Sequence, residues 1–226
     1  MDFVAEISNL VSNLQQYKNQ TVNKIMQSLS ITTNAKSKNY IIASNLCYLY
    51  KGKSYFTSLC EHENIHLKTI QLKVNGRPQE AMSFAPIDFN KIVNECWEKS
   101  SFKKFLDGYF IFFVFKKIEE ENIISSIFLW KMSNDDLSKV KIVWESTKKY
   151  LMDGNVIKEI KNNKIITNFI SEADDMICHI RPHGKNGLDL VKLPVVDQNT
   201  GFSVLSKQSF WFNHNYLIKI INEMEN

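Results

Sequence analysis

The sequence predicts an α/β domain, a mixed central sheet flanked by helices. Three stretches carry that expectation. Tyr109 to Phe115 (YFIFFVF) is apolar at every position, as a strand buried on both faces is. Ser133-Asn134-Asp135-Asp136 offers an N-cap and early acidic residues. Leu137, Val140, Trp144, Thr147 and Leu151 then recur at helical spacing, with Gly154 as the stop. Ile65 to Val74 alternates apolar and polar residues, the period of a half-buried strand. Strands interspersed with helices bury their apolar faces by layering, hence a sheet covered by helices.

Taken in order, Phe3, Ile7, Leu10, Leu14 and Tyr17 mark an amphipathic helix, and Ile25 and Leu29 continue it after a break. Ser30 to Lys38 is a polar loop, and Tyr40 to Tyr50 is apolar enough for a buried helix. The following KGKSYFTSLC carries no helical stripe. Within 65–74 the alternation slips by one residue between Leu67 and Ile70, which predicts a bulge near Thr69. Asn75-Gly76 then turns the chain into a hairpin. Ile123 to Lys131 is a strand neighbouring 109–115. Met176, Cys178 and Ile180 alternate into the loop RPHGKNG. Lys207 to Ile221 is an aromatic-rich strand and helix, with Phe210-Trp211-Phe212 in the core. Without repeats or a linker, the chain reads as a single domain over 1–226. Its 1–64 part is mainly helical, and 65–226 supplies the sheet core and loops.

Composition narrows the class. The 226 residues are 44% hydrophobic and 23% charged, enough for a sizeable core. No apolar run approaches the roughly 18 residues of a membrane helix. MDFVAEISNLVSNLQQYKNQ lacks the basic start and apolar centre of a signal peptide. Cys47, Cys60, Cys96 and Cys178 form no CxxC pair, which predicts free thiols in a reducing cytoplasm. A net charge of +4 permits a nucleic-acid partner without demanding one. Only two of the 28 basic residues are arginine, Arg77 and Arg181, and each precedes a proline. Both therefore invite a functional reading.

His62-Glu63-Asn64-Ile65-His66 is a formal H-E-x-x-H, the pattern of a zinc-binding helix. That chemistry needs both imidazoles on one helix face, and the strand-like run from Ile65 argues against it. His179 and His183 are separated by Pro182, so they form no helical metal pair either. On a strand, His66 and Lys68 share a face, as the last two members of a D…E-x-K nuclease site do. Such a site holds Mg²⁺ through two carboxylates and uses the lysine on the nucleophilic water. Here position 66 is histidine, and no aspartate lies between Asp2 and Asp88. Only Lys68 has the expected type.

Four blocks in order then point to one family. HLKTIQLKVNGRPQEAMSFAP resembles the ELKTI…GRP…AP stretch of the mismatch-repair GATC-nicking endonucleases (the MutH family) and their restriction-enzyme relatives. Leu129-Trp130-Lys131-Met132-Ser133 resembles the family's LW-S helix entry. MICHIRPHGKN resembles its strand and Arg-Pro-basic-x-x-Asn loop, and KQSFWFN its KQ-FW-N block. The blocks run from residue 65 towards the C-terminus, while 1–64 matches only in being helical.

The resemblance implies a restriction-endonuclease-like fold, closest to the non-catalytic C-terminal half of a two-domain GATC restriction enzyme. The family's catalytic glutamate falls on His66 and its aspartate has no counterpart, so His66 and Lys68 would be a degenerate remnant without a metal. The segment GFSVLS shows no methyl-sensing tyrosine. On this reading the chain needs no cofactor, and Mg²⁺ belongs to a catalytic N-terminal partner domain in a bacterial cytoplasm. Its partners would be that domain, GATC duplex DNA, and a further copy of itself. Arg181, His183, Lys185 and Asn186 would read the bases, since arginine can pair with guanine O6/N7 and asparagine with adenine N6/N7. Gly184 and Gly187 would let the backbone approach the duplex. Lys207, Gln208 and Arg77 are candidate phosphate or groove contacts. Two rivals stay open: an active Mg²⁺ nuclease with an unconventional carboxylate, and a dimerisation module that no longer touches DNA.

Overall fold

The computed structural model describes residues 3–162, 164–186 and 188–225; Gly187 of the expected loop lies outside them. The helices are α1 (Phe3–Leu14), α2 (Val22–Ser28), α3 (Lys38–Lys51), α4 (Lys53–His62), α5 (Phe89–Asn94), α6 (Ser101–Leu106), α7 (Asn134–Met152) and α8 (His214–Glu225). The strands are β1 (Ile65–Leu72), β2 (Met82–Pro86), β3 (Tyr109–Ile118), β4 (Glu121–Lys131), β5 (Ile157–Lys161), β6 (Lys164–Thr167), β7 (Cys178–Pro182), β8 (Leu190–Lys192), β9 (Val204–Ser206) and β10 (Gln208–Phe212). The class is the expected α/β mixture, but the strands do not gather into one sheet. Two three-stranded sheets form, ordered β1-β3-β4 and β2-β10-β7, beside the hairpins β5-β6 and β8-β9. Sequence patterns locate strands but leave their non-local partners open. The chain divides into two compact units. No helix among the described residues is long and apolar enough to cross a membrane.

The first unit comprises Met1–Glu80, Phe105–Met132 and Ile218–Asn226. Its sheet is mixed, with β1 parallel and β4 antiparallel to the central β3. Phe110 to Phe115 are all fully buried, as their unbroken apolar run requires. Ile7 and Leu10 of α1, Ile25 of α2, and Ile42 and Leu46 of α3 pack with Ile65, Leu67, Ile111 and Phe113 of the sheet.

Two expectations need correcting here. The stretch before Glu61 is helical as α4. Only Phe56 of that helix is buried, so it leaves no stripe for periodicity to detect. The bulge at Thr69 is absent, since β1 pairs with β3 without a break from Ile65 to Leu72. The slip instead records burial on two faces. Ile65 and Leu67 join the helix-covered core, whereas Ile70 and Leu72 are buried on the opposite side. An irregularity does occur between β3 and β4 at Val114/Phe115, where the Ser125 hydroxyl donates to the Val114 carbonyl at 3.1 Å. The turn at Asn75-Gly76 forms with Gly76 at φ 78°, but the hairpin it closes shrinks to one bridge, Leu72 to Pro78.

The second unit comprises Ala81–Lys104 and Ser133–Leu217. The Ser133 hydroxyl caps α7 by accepting the Asp136 N–H at 3.1 Å, and Leu137, Val140, Trp144, Thr147 and Leu151 are buried as the stripe predicts. Gly154 stops the helix at φ 59°. In the sheet, β10 lies between β2 and β7 and is antiparallel to both. Phe210 and Phe212 are buried on one face, where Phe210 stacks on Phe102 at 4.2 Å and Phe212 meets Phe84 edge-on. The Asp197 carboxylate is fully buried. It accepts the Val156 and Ile157 N–H groups at 2.8 Å each, anchoring the β8-β9 hairpin to β5.

Candidate nucleic-acid interface

The H-E-x-x-H segment is divided between two elements. His62 is the last residue of α4, Asn64 reverses the chain at φ 52°, and His66 is already on β1. Gly108 makes this reversal possible, because a Cβ there would lie 2.2 Å from the Asn64 carbonyl oxygen. The imidazoles therefore do not share a helix face, and the i, i+4 metal geometry is not formed.

His66 and Lys68 do share a face of β1, in line with Ile70 and Leu72 and beside Phe110 and Phe112 of β3. The His66 ring stacks on Phe105 with centroids 3.6 Å apart, and its Nε2–H donates to the Phe105 carbonyl at 3.0 Å. Burial, helped by the neighbouring Lys68 ammonium, pushes the imidazole down to about 4 against the pull of that hydrogen bond. At neutral pH it is an uncharged, seated ring. Lys68 places its Nζ 5.6 Å from the Phe105 ring centre, and burial lowers its pKa. The strand positions around His66 and Lys68 on this face carry no carboxylate: Ile70 and Leu72 from β1; Phe110, Phe112 and Val114 from β3; Ser126, Phe128 and Trp130 from β4. A hard divalent cation takes oxygen ligands, so this donor set does not fit Mg²⁺. Among the described residues no three of His, Cys, Asp and Glu are grouped as a metal would need.

The second candidate lies on β7 and β10. Register pairs Ser209 with Arg181 and Trp211 with His179, placing all four on the face opposite Phe210 and Phe212. The Arg181 guanidinium carbon sits 3.9 Å from the Trp211 ring centre. His183, just beyond β7, meets the same ring edge-on at 4.9 Å, and its Nδ1 hydrogen-bonds the Ser209 hydroxyl at 2.9 Å. At the buried end, His179 pairs through Nδ1 with the Asn213 side-chain oxygen. Burial lowers the His179 pKa, so its ring is neutral and Nδ1–H is the donor. The His179 Nε2 and the Trp211 Nε1–H are buried without a hydrogen-bond partner. Along this face the side chains pass from buried (His179, Trp211) through half-buried (Arg181) to exposed (His183).

The loop after β7 exposes Lys185 and Asn186. The Asn186 side-chain oxygen accepts the Leu188 N–H at 3.0 Å, and Asp189 accepts the Lys185 N–H at 3.2 Å. Lys207 binds the same Asp189 carboxylate at 2.8 Å and, with the Lys185 N–H, holds it below the usual carboxylate range. Lys207 is thus already paired. The expectation of a groove contact does not suit Gln208, which is 2% exposed and donates its amide to Ser206 at 3.0 Å. It braces the strand from behind, because its odd–even position turns it to the Phe210 face. Arg77 is exposed at its turn in the first unit.

Residues 50–142 match the family "DNA mismatch repair enzyme MutH". The chain is also 31% identical, over 244 aligned positions, to the type II restriction enzyme Sau3AI of Staphylococcus aureus, an alignment covering 93% of this chain and 50% of that protein. The chain is MutH-like. It spans about half the length of that curated relative. The MutH-like segment 50–142 contains His66 and Lys68 but ends before Arg181. The longer alignment spans most of the chain.

The sequence reading places Trp211 only in the core, weighs His179 only as a metal ligand, and does not single out Phe105, Ser209 or Asn213. Odd positions of β10 alternate Ser209, Trp211 and then Asn213 against Gln208, Phe210 and Phe212, a signal that one face is polar. Nothing local connects Phe105 to His66, since 39 residues separate them.

Proposed function

We propose that this chain is a DNA-binding effector domain of a type II restriction system. It binds GATC duplex DNA without cutting it and acts on a catalytic partner domain that supplies the Mg²⁺ site. The observation that carries the reading is the β1 face of a MutH-like chain: the position expected to hold a metal-binding carboxylate is a neutral histidine stacked on Phe105. Charge neutralisation and a flat donor edge are what duplex recognition asks of a protein. Arg181, with the exposed His183, Lys185 and Asn186, provides both on one segment. The partners in this reading are GATC duplex, the N-terminal catalytic domain of the same enzyme and a second copy of the chain, in a bacterial cytoplasm.

The test is a gel shift with GATC and scrambled duplexes in Mg²⁺, with the same mixtures assayed for cleavage. Preference for GATC with intact DNA is expected. Binding to neither duplex leaves the dimerisation module as the better account, and equal binding to both removes the GATC reading. Cleavage removes the effector reading.

A further inference from the structure

We infer that Trp211 is the positioning residue for Arg181, a platform that fixes the guanidinium plane so that only its N–H edge is offered to a ligand. The inference rests on the DNA-reading role proposed for Arg181 and adds the element that orients it. The register of β7 and β10 sets Arg181 opposite Ser209, which makes Trp211 its diagonal neighbour on the same face. Such a neighbour is within reach of a long side chain, and the guanidinium carbon lies 3.9 Å from the indole centre.

What tryptophan offers at this position is ring area. A buried indole N–H ordinarily finds an acceptor, and this one has none. The N–H therefore does not account for the residue, whereas the face beneath Arg181 does. The ring is itself held in place: His183 closes on it edge-on, and the Ser209 hydroxyl fixes the His183 Nδ1. The Gln208 amide is bound to Ser206 on the other face, and Phe210 stacks on Phe102 behind the strand. A guanidinium lying on a fixed plane keeps its fork in one orientation, suited to two coplanar acceptors such as guanine O6 and N7. A lysine at 181 would retain the charge and lose that geometry. His183, on this view, is the edge support of the platform.

The experiment measures the ratio of dissociation constants for scrambled and GATC duplexes, with the salt dependence of each, in the full chain. Trp211→Leu is expected to lower the ratio at least about fivefold, as Arg181→Ala does, with the salt slope unchanged because no charge is removed. Trp211→Phe, which keeps a smaller ring, is expected to lower it about threefold. The Arg181→Ala/Trp211→Leu double variant is expected to be no worse than either single change. A misfolded protein would lose binding to both duplexes together, so the ratio separates positioning from structure.

If Trp211→Leu does not fold, Trp211→Phe decides. A folded variant with the parent's ratio overturns the inference, as do additive losses in the double variant. If Arg181→Ala removes the preference and Trp211→Leu keeps it, the DNA reading stands and the platform falls. If the parent shows no preference at all, the DNA reading falls. The stack is then judged by the Trp211 indole N–H resonance, assigned from its loss in Trp211→Phe. It should move in Arg181→Ala, and an unmoved signal overturns the platform.

Discussion

The β1 face of the first unit and the β7-β10 face of the second carry similar ingredients arranged to opposite effect. Each has a histidine, a cation and an aromatic ring on one side of a sheet. On β1 the imidazole lies flat on Phe105 and its N–H is bound to a main-chain carbonyl, while burial lowers the pKa of both His66 and Lys68. On β7 the aromatic ring lies under the cation, and burial declines towards the loop. A cation whose face is covered and whose edge is open can bind. A histidine whose face and N–H are both occupied is part of the core. Residue type alone does not separate these outcomes; the partner atoms do.

The comparison can be broken first at its all-or-none end. The purified chain is expected to leave a GATC plasmid uncut with Mg²⁺ or Mn²⁺. His66→Glu alone should not restore cutting, because the second carboxylate would still be missing. Metal-dependent linearisation that disappears on mutating a carboxylate of this chain would show that the β1 face had been misread.

The next effect is a pH dependence of stability. Folding lowers the His66 pKa from its ordinary 6.5 to about 4. Between those values the unfolded chain binds a proton that the folded chain does not. Stability from this residue is therefore fully present above pH 6.5 and is lost as pH falls towards 4, by less than the roughly 3 kcal/mol of the whole shift because solvent screens a half-buried ring. Urea titrations at pH 7 and pH 4.5 should show His66→Phe losing less stability than the parent over that interval. Equal losses would place the imidazole in a more polar setting.

On the other face, Arg181→Ala should cost about 1–3 kcal/mol on GATC duplex and much less on scrambled duplex. Circular dichroism must show that the variant stays folded. A folded variant that prefers GATC as strongly as the parent would mean another segment reads the bases.

The smallest difference separates two lysines. Lys185 is exposed in the loop, so Lys185→Ala should reduce the salt slope of binding by about one unit. Lys207 is already paired with Asp189 at 2.8 Å, so Lys207→Ala should reduce it by less. The reverse order would show that Lys207 leaves Asp189 when DNA binds.

The sequence by itself determined the elements whose residues see uniform surroundings. β3 was legible because every side chain from Phe110 to Phe115 is buried, and α7 because its cap and stripe are local. It also determined that His66 stands where a carboxylate was expected, since that is a matter of residue identity. It misread β1, where burial changes sides midway, and α4, which buries only Phe56. Tertiary structure decided what the site residues face. His66 is neutral because it is buried with Phe105, from a distant segment, stacked on its face. Arg181 is oriented because β10 returns antiparallel to β7 and brings Trp211 beneath it. Gln208 is withdrawn because its parity puts it with Phe210 and Phe212, on the face away from Arg181. These depend on pairings between residues far apart in the chain, and local periodicity carries no information about which distant surface an element will meet.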